Sequence, residues 1–238
     1  MIDRSLNYGR YCIREFLRKS VPYQSVLDMG AGGGDDLALA KEIQGHAKLL
    51  GVEVHAPYAK KLTSKGVKVL RLNIEKDRLP LGDGKADVVI MNQILEHTKE
   101  VFWILHEVSR VLPVGGKLIM GVPNMAALHN RILLALGRQP SPCKTNSAHV
   151  RGFTKGDIQQ FLESCSPGLY HLDSFGGSNF YPFPPFLAKP LARLFPTMAW
   201  GIFFLFEKTK DYEGGFLKFP IEQALETNFY LGPHGRRQ

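Results

Sequence analysis

Ser25-Val-Leu-Asp-Met-Gly-Ala-Gly-Gly-Gly-Asp-Asp36 decides the fold. A short apolar run, Val26 to Met29, passes into a glycine loop, and a helix is expected from about Asp35. Strand, glycine turn and helix in that order form the nucleotide-binding entry of a doubly wound α/β sheet. Glycines at 30, 32, 33 and 34 tolerate positive φ and let a ligand approach bare backbone. The dinucleotide pattern G-x-G-x-x-G would place a sixth-position glycine where this chain has Asp35, and Asp36 follows it. Two carboxylates suit the positive end of a helix but repel a pyrophosphate there. Asp28, at the strand end, adds a third negative charge.

An acidic, glycine-lined pocket suits a nucleoside that lacks phosphates and carries positive charge. S-adenosylmethionine, with its sulfonium and ammonium groups, answers that description. Lys48-Leu-Leu-Gly-Val-Glu-Val54 reads as the next strand, ending near Glu53. An acid about 20 residues past the glycine loop accepts hydrogen bonds from ribose hydroxyls in this kind of sheet.

From about Tyr8 to Lys208 the chain resembles the class I S-adenosylmethionine-dependent methyltransferases. The motifs that carry the resemblance stand in the family's order: Asp28-Met-Gly-Ala-Gly-Gly-Gly34, then Gly51-Val-Glu53, then Leu72-Asn-Ile-Glu-Lys-Asp-Arg-Leu-Pro80. Ala86-Asp-Val-Val-Ile-Met-Asn92, Ile94-Leu-Glu-His97 and Glu107 to Asn124 follow. The resemblance implies that Asp28, Gly30, Gly32, Gly34, Glu53, Asn73, Ile74 and Asn92 bind the cofactor. Position 73 is often Asp in this family; Asn73 keeps a carbonyl that can accept the adenine amino group.

Alternating strand and helix patterns continue outward from the loop. Helices are expected at about 5–19, 35–43, 57–65, 99–112, 124–137 and from Thr154 to Cys165. Strands are expected at about 25–29, 48–54, 67–72, 86–92, 115–122, 169–175 and 200–208. Ala86–Asn92 is a nearly continuous apolar run, as a buried parallel strand requires. The β/α rhythm predicts a doubly wound, mostly parallel sheet with its ligand at the carboxyl ends of the strands. The resemblance implies seven strands in the order 3-2-1-4-5-7-6, the last antiparallel. One domain, 1–208, is expected, with a lid-like insert at 176–197 rich in Pro, Phe and Tyr. A tail, 209–238, carries Phe216, Phe219, Phe229 and Tyr230 and should dock on the domain or on a partner subunit.

The sequence has 238 residues, 44% of them hydrophobic and 22% charged, with a net charge of +8. That composition is ordinary for a soluble globular protein. The basic residues are scattered, with short clusters such as Lys60-Lys61 and Arg236-Arg237, and no nucleic-acid module is visible. Nucleic acid is therefore not the expected acceptor. Cys12, Cys143 and Cys165 are too widely spaced for a metal knuckle and fit a reducing cytosol. Met1 to Lys19 mixes charges without a signal pattern, so a cytoplasmic location is expected. Phe183, Phe186 and Leu187, flanked by Lys189 and Arg193, leave a peripheral membrane contact open as a second reading of the insert.

Methyl transfer needs alignment of nucleophile, methyl and sulfur, and an outlet for the nucleophile's proton. His97, beyond the fourth strand, and His149, before the helix that follows the long loop, are the candidate bases, with His149 preferred. Glu96 could steer a histidine. The residues after the fourth strand, Asn92-Gln-Ile-Leu95, are not the tetrapeptide of base-amine or glutamine-amide methylation. No Asp/Asn triplet or cysteine pair stands out, and no metal site is expected. The expected reaction is O-methylation of a small molecule, glycan or lipid-linked intermediate. N-methylation of a small molecule or protein, and a non-catalytic S-adenosylmethionine-binding protein, remain the alternatives, with a nucleic-acid methyltransferase as a third.

Overall fold

The computed structural model describes residues 3–226 and 229–233. Its frame is a seven-stranded sheet in the order β3-β2-β1-β4-β5-β7-β6. The strands are β1 (Ser25–Met29), β2 (Lys48–Val52), β3 (Lys68–Leu70), β4 (Val88–Asn92), β5 (Lys117–Pro123), β6 (Tyr170–Ser178) and β7 (Gly201–Lys208). β1 to β5 are parallel neighbours, and β7 runs antiparallel to both β5 and β6. This is the order and sense that the resemblance implied.

Period-two alternation splits the central strands between two cores. Leu27, Met29, Val89, Met91, Leu118 and Met120 face one side, and Val26, Val88, Ile90 and Ile119 the other. On the first side lie α4 (Val101–Val111), α6 (Lys155–Cys165) and α8 (Gly215–Glu222); on the second lie α1 (Arg10–Lys19), α2 (Asp35–Ile43) and α3 (Ala56–Ser64). Both faces are covered, so β4 reads as continuous apolar sequence.

The leading segment is not one helix. Arg4–Tyr8 forms a 3-10 turn, and Gly9 breaks it from α1 at φ 54. A Cβ at Gly9 would lie 2.1 Å from the Phe203 ring, so the break lets the chain pass close over β7. Thr154 caps α6, with Asp157 completing the reciprocal box; this local signal places the helix as the sequence predicted.

Three expectations need correction. Strands 2, 3 and 4 are shorter than expected at their ends, because the sheet's ladder stops where the flanking loops turn away. Helix α5 (Leu128–Ala135) is shorter than 124–137 because Asn124 is spent as an anchor: its amide donates to the Thr197 and Ala199 carbonyls, both at 2.9 Å. The stretch 176–197 is not a free connection. Gly176 to Ser178 pair with β7, and Pro185–Leu194 forms helix α7. Ala188 and Ala192 on α7 pack with Phe180 and Ala199 into a small core of their own.

The chain after β7 lies along α4. Phe219 and Phe229 pack on the core around Phe102, Tyr230 stands edge-on to Trp103, and its N–H donates to Glu100 at 2.6 Å. The Arg236-Arg237 cluster lies outside the described residues. Among the described residues no helix is long and apolar enough to cross a membrane.

Candidate active site

The glycine loop stands at the carboxyl end of β1, against the end of β2. Gly30 takes φ 79, and a Cβ there would meet Ile94 Cδ1 at 2.7 Å. Glu53 follows β2 directly and is buried. One carboxylate oxygen accepts from the Gly32 N–H at 2.9 Å and the other from the His55 N–H at 2.7 Å. Each oxygen keeps a lone pair for a ligand. A cavity of about 530 Å³ opens here, lined by Gly30, Glu53, Asn73, Ile74, Ile94 and His97, with Val52, Val54, Leu72, Glu75 and Thr98.

The other residues expected from the sequence to bind the cofactor lie around this cavity without all lining it. Asp28 is buried, and burial, with Asp36 and Glu53 nearby, holds its carboxyl well above the usual range. Gly34 caps α2 at φ 78. Asn92 turns away from the cavity: its amide donates to Asp36 at 2.7 Å and to the Tyr8 carbonyl at 3.0 Å. Arg10 reaches Asp35 at 2.9 Å, so α1 closes over the acidic helix end. Asn73 Oδ1 already accepts from the Glu75 N–H at 2.9 Å. The Asn73 carbonyl thus serves a local turn and keeps a second lone pair.

A second cavity, of about 470 Å³, is lined by Arg4, Asn7, Ser141, Pro142, His149, Tyr181 and Trp200. Its walls come from three distant parts of the chain. Asn7 donates to Tyr181 Oη at 2.9 Å, and Asn179 donates to Asn7 at 2.7 Å. Asn130 donates to the Asn124 carbonyl at 2.9 Å and accepts from the Ser141 N–H at 2.9 Å, which fixes the segment ahead of His149. Arg4, Asn7 and Trp200 carried no sequence signal; only the aromatic character of the insert pointed toward Tyr181. His129 bonds Ser141 at 2.9 Å, a packing role.

The two candidate histidines stand where the cavities approach each other. His97 lines the first and His149 the second, and their rings meet edge to face at 4.7 Å between centroids. His149 Nδ1 lies 3.1 Å from the Pro142 carbonyl, and His97 Nδ1 lies 3.3 Å from the Ala148 carbonyl. A carbonyl only accepts, so each neutral ring carries its hydrogen on Nδ1 and leaves Nε2 bare. Burial and the neighbouring His97 push the His149 imidazole below its ordinary value. Beneath them Glu96 is almost fully buried, its carboxyl pushed up to about 7 by burial.

Residues 11–158 match the family model described as "Methionine biosynthesis protein MetW". The chain belongs to the MetW family. The MetW match takes in the glycine loop, Glu53, both histidines and the start of α6, and stops before β6, the insert and β7. Over 158 residues the chain is 25% identical to a "Probable S-adenosylmethionine-dependent methyltransferase" of Mycolicibacterium smegmatis, covering 63% of this chain and 57% of that protein. An uncharacterised 37.1 kDa transposon protein of Streptomyces fradiae is 31% identical over 111 residues, which is 45% of this chain and 32% of that one. The chain thus spans about a third to three-fifths of the length of these relatives. A Thermotoga maritima structure described as a methyltransferase, "possible histamine N-methyltransferase", superposes with a TM-score of 0.58 at 18% identity, covering 86% of this chain and 91% of that one. At that identity the likeness concerns the fold. The fold of this MetW-family chain is thus the one seen in S-adenosylmethionine-dependent methyltransferases, with the strand order that the motifs implied.

Proposed function

We propose that this protein transfers the methyl group of S-adenosylmethionine to a hydroxyl of a small-molecule, glycan or lipid-linked acceptor. The observation that carries the reading is the His97–His149 pair, set between one cavity ended by Glu53 and another walled by Arg4, Tyr181 and Trp200. In this reading the nucleoside lies in the first cavity. Glu53 takes the ribose hydroxyls, Gly30 and Gly32 let the backbone approach, and the Asn73–Ile74 turn borders the base. The acidic cluster of Asp28, Asp35 and Asp36 favours the cationic cofactor over its neutral product.

The acceptor enters the second cavity. Its oxygen forms a bond to the methyl carbon as the carbon–sulfur bond breaks, and the sulfonium becomes a neutral thioether. The hydroxyl proton passes to the bare Nε2 of His149, or of His97 in its place. Alignment across the junction converts two bound ligands into one reacting pair.

Labelled-methyl transfer into fractionated cell extract, with mass spectrometry of the product, tests the reading. Labelled methyl on oxygen supports it; on nitrogen it replaces O-methylation, and tight cofactor binding without any transfer replaces catalysis. With the acceptor in hand, His149→Ala should lower kcat by about 100-fold or more, and His97→Ala should also lower it. S-adenosylmethionine affinity should stay within about twofold, a loss under roughly 0.4 kcal/mol. Full kcat in both variants would remove the histidines from the mechanism.

A further inference from the structure

Glu96 has no satisfactory role as an isolated side chain. Its residue is 1% exposed, and neither carboxylate oxygen has a hydrogen-bond partner. No lysine or arginine pairs with it among the described residues; the ionisable group beside it is the His97 imidazole, at 3.9 Å from Nε2 to Oε1. A carboxylate withdrawn from water without a partner is costly. The backbone nevertheless holds it firmly. The Glu96 carbonyl accepts from the Val150 and Arg151 N–H groups at 2.8 and 3.3 Å, which ties the His149 segment to the 3-10 turn Leu95–His97.

One donor atom from each of Glu96, His97 and His149 lies within 4.8 Å of the other two. Both imidazoles spend Nδ1 on a backbone carbonyl, which leaves Nε2 of each bare. That is the outer arrangement that orients metal-ligating histidines. Two neutral nitrogens and one carboxylate are a poor set for magnesium or calcium, which prefer oxygen, and a good set for iron(II), cobalt(II), nickel(II) or zinc(II).

We propose that Glu96, His97 and His149 form a binding site for one divalent first-row transition-metal ion, placed between the two cavities. Bonds of roughly 2.0–2.2 Å bring such donors about 3–3.5 Å apart. The half-open His97 ring and the Glu96 side chain close that gap by rotating. Three protein ligands leave positions open toward both cavities. Ion binding stands on these side chains alone; its use in catalysis rests on the methyltransferase reading above. With both Nε2 atoms on the ion, metal ligation replaces their direct role as bases: the acceptor hydroxyl takes an open position and loses its proton to water, because the cation stabilises the oxyanion. The bound oxygen then attacks the methyl carbon as the carbon–sulfur bond breaks. This differs from the metal-free site that the sequence predicts, because residues 96–97 and 149 are 52 positions apart and neither alone has ligand spacing.

The test uses the full chain, stripped of metal, without cofactor or acceptor. Cobalt(II) and zinc(II) are titrated by calorimetry, and cobalt(II) also by visible absorption. One ion per chain at micromolar affinity or better is expected, without a thiolate charge-transfer band. Glu96→Gln should weaken binding at least tenfold, and the His97→Ala/His149→Ala pair should abolish it, with circular dichroism confirming the fold. Should those variants unfold, proton NMR of the cobalt-loaded wild-type chain serves instead: two exchangeable imidazole Nδ1–H signals should be shifted by the ion. Unaltered affinity in folded variants, no binding in the wild type, or no shifted imidazole signal would overturn the site. A separate S-adenosylmethionine titration distinguishes failure here from failure of the methyltransferase reading.

Discussion

Glu53 holds two backbone N–H groups and, in the proposed reading, the ribose as well. Its oxygens hold the Gly32 and His55 N–H groups, and they keep lone pairs for ribose. Charge-assisted hydrogen bonds are worth roughly 1.5–3 kcal/mol each, so Glu53→Ala should weaken S-adenosylmethionine binding about tenfold or more. An unchanged dissociation constant in a folded variant, by calorimetry, would remove Glu53 from the ribose site. Asp28 makes a different prediction. Its native pKa is raised, chiefly by burial and then by Asp36 and Glu53, so the native state holds that proton more tightly than the unfolded chain does. The stabilisation is complete below the unfolded value, about 3.9, and is lost as pH rises through the native value. At neutral pH Asp28 therefore costs the ligand-free protein stability, and a cationic ligand beside it offsets that cost. Asp28→Asn should raise the ligand-free Tm at pH 7, by about 2–4 °C for each kcal/mol, and should lower cofactor affinity. The Tm gain should vanish toward pH 4, well below the raised native value. A lower Tm for the variant at pH 7 would contradict this.

Between elements, the buried Glu107–Arg110 pair on α4 is the strongest fastener. Arg110 holds both Glu107 oxygens, at 2.8 and 2.6 Å, and also reaches the Leu79 and Leu81 carbonyls and Asp83. Glu107 in turn accepts from the Leu79 N–H at 2.7 Å. The long link between β3 and β4 is thereby tied to α4, and the Asn73–Ile74 turn sits within that link. Arg110→Ala would strand a buried carboxylate, at a cost of about 3–5 kcal/mol, read as a drop in the urea midpoint at constant m. Arg110→Lys should recover only part of it, because an ammonium cannot replace the guanidinium fork. The insert is a second element-level case. Its helix α7 buries Ala188 and Ala192, while Tyr181 lines the second cavity. Replacing residues 182–195 with a short linker, sparing the β6 pairs at Gly176–Ser178, should impair acceptor turnover. S-adenosylmethionine affinity should hold, since no insert residue lines the first cavity. Equal loss of both in a folded variant would make the insert part of the frame instead.

In the whole molecule, the two cavities are two products of one topology. The first lies at the carboxyl ends of β1, β2 and β4, where the crossover direction reverses beside β1 and leaves a crevice. The second is assembled around the far edge from the leading turn, the 138–151 segment and the insert. Asn7, Asn124, Asn130 and Asn179 lock those pieces together.

The order and sense of the strands were legible in the sequence, which also pointed to the nucleoside half of the proposed site. Contiguous signals suffice there: an apolar strand, positive-φ glycines, an acid after β2, and a capping box at Thr154 all act within a few residues of one another. Glu53 and the glycine loop were legible for that reason. The rest needed the folded chain, because it depends on long-range contact. Asn92 has the residue type the family pattern uses, yet Asp36 and the Tyr8 carbonyl, 56 and 84 positions away, engage its amide. Arg4, Asn7 and Trp200 reach the second cavity across more than a hundred positions. His97 and His149, which sequence could offer only as alternatives, stand ring to ring over a buried Glu96 because the Glu96 carbonyl captures the N–H groups of Val150 and Arg151. Local propensity cannot encode that meeting; two backbone hydrogen bonds between distant segments make it.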